Sequence, residues 1–300
     1  MNDQPQPTPI DFGPTPDGQT AQLFTLRNPN GFEARITNYG GIVTHLLVPD
    51  HDGVLADVVL GFDSLEPYIT DSSHFGALIG RVGNRIGGGA FTLDGEIYDL
   101  VKNNEPHGVP CHLHGGLKGF GRVLWEAVQG VDDDHPSVRL RYLSPDGEEG
   151  YPGNLECFVT YKLIKNALHI DYMATGDKRT PVNLTNHSYF NLTGEGSGTI
   201  LDHVATIHAS HFTPVARGMI PTGEIIPVSD TPFDFTTGKS IGRDIENSDE
   251  QVRLSDGFDH NFVVDDANLD EPILVATVYD PESGRIMETW TTEPGIQFYT

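Results

Sequence analysis

The chain has 300 residues, with 18 basic and 43 acidic side chains and a formal charge of −25. So acidic a surface repels nucleic acid and anionic lipid, which excludes both as expected partners, and it disfavours a phosphorylated substrate unless a local basic pocket opposes the field. A neutral small molecule is indifferent to it. The hydrophobic fraction of 37% is modest, yet a chain this long buries a sizeable core, as one large domain or two smaller ones. The opening M-N-D-Q-P-Q-P-T-P-I lacks a basic n-region and an apolar h-region, so residues 1–10 are expected to be a disordered leader and not a signal peptide.

Strand signals dominate from there. Phe32, Ala34 and Ile36 alternate with Glu33, Arg35 and Thr37, the period of a strand buried on one face. A short helical turn is expected near Ser64–Ile69. Asp94-Gly95 within F-T-L-D-G-E-I-Y-D-L predicts a two-residue hairpin. Asp146–Gly153 carries glycine and proline and predicts a loop between strands. Leu155, Cys157, Val159, Tyr161 and Leu163 then alternate with Glu156, Phe158, Thr160 and Lys162, and Leu168, Ile170 and Tyr172 repeat the pattern. A second short helical turn is expected near Ile241–Glu246. Asp280–Gly284 predicts another hairpin, between Val275–Tyr279 and Arg285–Trp290. With 34 glycines and 21 prolines, few windows can hold a longer helix. The pattern predicts an all-β protein, a large antiparallel β-sandwich, as a single domain over residues 11–300.

Cys111 and Cys157 are the two cysteines. They are expected to be buried free thiols, which fits a reducing compartment. No apolar run approaches membrane-spanning length, and cytoplasmic residence is the expectation.

Five segments concentrate polar residues of chemical interest: Gly80–Ile86 (G-R-V-G-N-R-I), His112–Gly116 (H-L-H-G-G), Pro181–Leu192 (P-V-N-L-T-N-H-S-Y-F-N-L), Gly257–Phe262 (G-F-D-H-N-F) and Pro294–Thr300 (P-G-I-Q-F-Y-T). In the third, His187 lies among Asn186, Ser188, Tyr189 and Asn191, a hydrogen-bonding setting suited to a residue that holds a proton near neutral pH and releases it. Gly115 and Gly116 allow positive φ and a close approach of backbone to a ligand. Arg85 offers a rigid fork of donors. Arg81, four residues earlier, is expected to make a structural salt bridge. Period two would let His112 and His114 share a strand face.

In this order, from about Asp11 to the last residue, the five motifs resemble the aldose 1-epimerase family, also called galactose mutarotases. The resemblance implies a galactose mutarotase-like super-sandwich and an isomerase that interconverts the α and β anomers of free hexoses such as glucose or galactose. A base removes the C1 hydroxyl proton, an acid protonates the ring oxygen, and the opened aldehyde rotates and recloses. No metal, nucleotide or redox cofactor is expected, and a small sugar is the expected partner. By the same resemblance His187 is the acid. His114 assists it with a hydrogen bond to the ring oxygen or a neighbouring hydroxyl. Asn84, Arg85, Asp259 and Gln297 read sugar hydroxyls, and Tyr189 supplies a pocket wall or hydroxyl. His260 is assigned to packing or surface.

The family's base is a glutamate in an L-E-x-Q-like motif downstream of Q-F-Y-T. Glu288 and Glu293 precede Gln297 in a hairpin and have no such context. The expectation is therefore a piece of a longer enzyme, lacking its C-terminal strands and of little or no activity as 300 residues. The alternative is a noncatalytic carbohydrate-binding β-sandwich. A cupin metal site would need a glutamate soon after H-L-H, where the chain reads G-G-L-K-G. A glycosidase would need two placed carboxylates, and Asp259 alone is not a pair. An enzyme of hexose 6-phosphates would need clustered basic residues beyond Arg81 and Arg85.

Overall fold

Alternating burial sets the architecture, and a computed structural model describes it for residues 8–71, 73–128 and 134–300. Strand Leu155–Ile164 is buried at every second position. It pairs on one side with Ser137–Ser144 and on the other with Ala167–Gly176, all antiparallel. Glu126–Val128 completes this four-stranded sheet. A five-stranded antiparallel meander of Ile10–Pro14, Thr20–Arg27, Glu33–Thr37, Val43–Pro49 and Leu55–Asp57 forms a second sheet. The two sheets meet where the buried Tyr161 hydroxyl donates to the Gly41 carbonyl at 2.6 Å. These elements belong to the first of two compact units, made of residues up to Pro49, Gly53–Asn104 and Pro110–Phe190.

The second unit comprises Asp50–Asp52, Glu105–Val109 and Asn191–Thr300. It holds two four-stranded sheets. One orders Lys239–Ser240, Val204–Ile207, Ile273–Tyr279 and Ile286–Thr291; the other orders Ile226–Pro227, His211–Thr213, Asp259–Val263 and Gly295–Tyr299. Its core is aromatic: Phe212, Phe233, Phe235, Phe258 and Phe262 are all buried. Phe212 and Phe233 stack at 4.4 Å. Offset and edge contacts of this kind add about 0.5–1.5 kcal/mol each beyond burial.

The all-β antiparallel expectation is met. The Asp94-Gly95 hairpin forms between Ala90–Leu93 and Glu96–Asp99, with φ of 53° and 86° at its two central residues, the positive pair that a type I′ turn requires. The Asp280–Gly284 turn joins Ile273–Tyr279 to Ile286–Thr291. The Asp146–Gly153 loop is present and contains one 3₁₀ turn, Glu148–Gly150.

Other details differ. Glu33 was expected on a solvent face but is 1% exposed, because Arg27 and Arg35 both bind its carboxylate. A buried carboxylate held by two guanidiniums avoids the cost of an unpaired charge. Tyr172, expected inward, is 38% exposed. The turn near Ser64 is helix α1, Leu65–Thr70, whereas Ile241–Glu246 supplies only the 3₁₀ turn Ile241–Arg243. Helix α2, Glu250–Ser255, was not expected; the Asp249 side chain caps it by accepting from the Gln251 N–H. Residues 1–7 of the expected leader lie outside the described residues, and the first strand begins at Ile10. Both cysteines are buried and free. Among the described residues, no helix is long and apolar enough to cross a membrane.

Candidate active site

In the first unit, strand Arg85–Gly87 pairs with Cys111–Leu113, with Leu113 opposite Arg85. Just beyond that ladder Asn84 and His114 both adopt left-handed backbone, φ 57° and 52°, and bond reciprocally. The His114 N–H donates to the Asn84 carbonyl at 3.0 Å, and the Asn84 N–H donates to His114 Nδ1 at 3.0 Å. A nitrogen that accepts carries no proton, so the neutral ring holds its hydrogen on Nε2. The next residue must be glycine. Gly115 has φ 81°, and a Cβ there would overlap the backbone of Gly80 and Arg81.

His187 follows the two-residue strand Thr185–Asn186, which pairs with Leu78–Ile79. Its N–H donates to the Ala77 carbonyl at 2.8 Å, and its carbonyl accepts from the Gly76 N–H at 3.0 Å. The Asn186 side-chain amide donates to the Gly76 carbonyl. These bonds bring His187 within 5.1 Å of His114, ring centre to ring centre, at an interplanar angle of 85°. Tyr189 lies 5.1 Å from His187 on a tilted plane, with Phe75 edge-on to it at 5.1 Å, so it walls this cluster. Arg85 donates to Asn84 Oδ1 at 3.1 Å. Five of the seven site residues expected from sequence are thus neighbours in one unit.

The other two pair in the second unit. Gln297 donates its side-chain N–H to Asp259 Oδ1 at 2.7 Å. Their strands run antiparallel, with Asn261 opposite Gln297, so the contact is a diagonal one across the pair. Asp259 is half-buried and Gln297 exposed. His260 packs inward between Phe212 and Phe233, and its Nε2 meets Gln251 Oε1 at 3.2 Å.

A third imidazole, His74, was not singled out in the sequence. Its ring lies 5.1 Å from His114 and 5.8 Å from His187. A lone histidine in S-S-H-F-G has no spacing that marks it, so only the fold reveals it.

Two expectations are corrected. His112 and His114 do not share a face, because His114 lies past the strand end in left-handed backbone. His112 is fully buried, bonded through Nδ1 to the Val101 carbonyl at 2.8 Å, with its ring edge-on to Tyr151. Among the described residues, Arg81 makes no direct salt bridge. Its guanidinium is buried and donates to the carbonyls of Ser144, Pro145 and Pro152 and to the hydroxyls of Ser144 and Thr180. Ser144 in turn donates to Glu148, so the carboxylate stands one hydroxyl away.

Burial and neighbouring charge act together on the cluster. His114 is pulled down to about 2, first by burial, then by the charges of His187, His74 and Arg85. His74 is pulled down to about 4, by burial, then His187 and Arg122. In the other unit, burial pulls His260 down to about 4. All three are neutral at physiological pH. Their folded-state values lie below the roughly 6.5 of an unfolded histidine, so the unfolded chain binds more protons as pH falls. Stability is therefore insensitive to these groups above about pH 7 and declines as pH drops below about 6.5, each histidine costing about 2 kcal/mol by pH 5. Thermal midpoints at pH 7.5, 6 and 5 should fall progressively. A flat profile down to pH 4.5, where carboxylates begin to protonate, would contradict this.

Residues 22–300 match the family described as aldose 1-epimerase. The chain is 44% identical over 290 residues to a galactose mutarotase of Sus scrofa, covering 96% of this chain and 80% of that protein. It is 37% identical over 286 residues to an aldose 1-epimerase of Escherichia coli K12, covering 95% of this chain and 80% of that one. In structure it is similar to an aldose epimerase homologue from C. elegans, with a TM-score of 0.82 and 30% identity over 92% of this chain and 81% of that one. Among the described residues, no group of histidine, cysteine, aspartate or glutamate is arranged to hold a metal ion.

Proposed function

The chain belongs to the aldose 1-epimerase family, and we propose that it is an isomerase interconverting the α and β anomers of free hexoses, galactose or glucose. The observation that carries this reading is the reciprocal Asn84–His114 bond beside His187. It supports different roles for the two adjacent imidazoles. His114, neutral with its hydrogen on Nε2, can donate a hydrogen bond but has no second proton to give. His187 is then the acid.

The reaction balances on that assignment. As the C1 hydroxyl loses its proton to a base, the electron pair forms the C1 carbonyl and the C1–ring oxygen bond breaks. The ring oxygen takes the His187 proton, with His114 Nε2–H steadying the oxygen as charge develops. Rotation about C1–C2 and the reverse steps close the other anomer and return both protons. Each positioned proton transfer contributes about 10²–10⁴-fold, or roughly 3–5 kcal/mol of barrier. No residue is assigned as the base. Asn84 and Arg85 are proposed to hold sugar hydroxyls. So are Asp259 and Gln297, whose mutual hydrogen bond presents a carboxylate and an amide together. Tyr189 is proposed as an apolar wall for the sugar ring. The proposal takes residues 11–300 as one domain, and it places the protein in the cytoplasm, in keeping with two free buried thiols.

The test is NMR exchange or polarimetry on freshly dissolved α-D-galactose and α-D-glucose in the presence of the protein. Anomeric equilibration should be faster than in buffer and proportional to protein concentration. Sugar binding with equilibration at the spontaneous rate would instead support the noncatalytic binding module.

A further inference from the structure

We propose that His74 is a positioning residue for both site imidazoles: its ring packs against His114 and His187 together and fixes their mutual orientation. The inference rests on the reaction proposed above. The three rings form a near-equilateral triangle, with centres 5.1, 5.1 and 5.8 Å apart. His74 meets His114 edge-on at 79° and His187 on a tilted plane at 37°. One ring therefore braces two others that themselves meet at 85°.

The backbone couples the same residues. His74 stands at φ 60° and opens the turn closed by the Ala77 N–H on its carbonyl. Ala77 and Gly76, in that turn, are the partners of the His187 backbone in both directions. Four residues of chain thus set where the His74 and His187 rings lie relative to each other. Behind His74 is a cavity of about 20 Å³ lined also by Tyr68, Asp71, Phe75 and Arg122, room for about one water. Arg122 is occupied by the Asp71 carbonyl at 2.8 Å.

The titratable and charged groups facing His74 are His187, His114, Arg122 and Asp71. Burial first, then the charges of His187 and Arg122, outweigh the opposing charge of Asp71 and keep His74 a neutral packing surface. The ring thereby excludes water from His114, whose burial is the largest cause of its own neutrality. The role follows from shape and not from hydrogen bonding, so a phenyl ring should perform it and a methyl group should not.

Imidazole ¹⁵N–¹H spectra and turnover of α-D-galactose, compared for wild type, His74→Ala and His74→Phe, decide the matter. In the wild type His114 should show one neutral tautomer, hydrogen on Nε2, through the range pH 5–8. In His74→Ala water enters, the tautomers mix, and the His114 titration midpoint rises by at least about one pH unit. kcat should fall about tenfold with KM nearly unchanged, as expected for a displaced catalytic group. His74→Phe should restore both the spectrum and most of the rate. Should His74→Ala fail to fold, His74→Leu carries the same contrast, a side chain of similar size without the ring edge. Wild-type spectra and rates in the alanine variant would overturn the proposal, and so would a phenylalanine variant as impaired as alanine. The spectra need no turnover, so a wild type without anomer exchange would refute the reaction while leaving the role of His74 to be decided.

Discussion

Replacing His187 with asparagine should lower kcat for anomer exchange by about 10²–10⁴-fold while leaving KM within a few-fold of wild type. Asparagine keeps a hydrogen-bonding side chain of smaller volume but has no proton to transfer. The backbone bonds that fix the position, to Ala77 and Gly76, do not involve the side chain and survive. A loss that falls equally on kcat and kcat/KM marks an interaction made only in the transition state, whereas a raised KM at constant kcat would mark a binding residue. Stopped polarimetry across a range of galactose concentrations separates the two. His114→Gln, by contrast, retains a donor near the same place and should be milder.

The second large effect is on stability. Arg81→Met should destabilise the fold by about 3–5 kcal/mol, the usual cost of removing one member of a buried charged network. The residue is 2% exposed, and the substitution strands the carbonyls of Ser144, Pro145 and Pro152 without their donor. It also leaves Glu148 without the cation that Ser144 connects to it. Orphaned buried acceptors cost about 1–3 kcal/mol each when they cannot relax toward water. At about 2–4 °C per kcal/mol, the thermal midpoint should drop by on the order of 10 °C. The Arg81 carbonyl accepts from the Asn183 N–H and the Gly83 N–H donates to the Asn183 carbonyl, so segment 80–84, which leads into Asn84, loosens with it. A midpoint within 2 °C of wild type would show the guanidinium to be dispensable.

Much of the fold was legible because a half-buried strand writes its period directly into the sequence. Leu155–Ile164 alternates without exception, and Asp-Gly fixed one hairpin by turn chemistry alone. What was not legible depended on partners distant in sequence. Glu33 reads as a solvent residue until Arg27 and Arg35 close on it. Helix α2 is six residues long, too short for a helical period to stand out, although Asp249 and Gly257 mark its ends. At the site, motif resemblance supplied His187, His114, Asn84, Arg85 and Tyr189, and the structure draws these together in one unit. It could not supply the tautomer of His114, which depends on which nitrogen the Asn84 N–H meets. Nor could it supply His74, which a turn delivers to the cluster.

The proposed reaction depends above all on His187 as the acid. A crystal structure with D-galactose bound tests it most directly. A His187 ring nitrogen should lie within about 2.6–3.2 Å of the pyranose ring oxygen, the reach required for proton transfer, with His114 Nε2 on that oxygen or a neighbouring hydroxyl. A sugar bound with its ring oxygen turned away from His187 would contradict it.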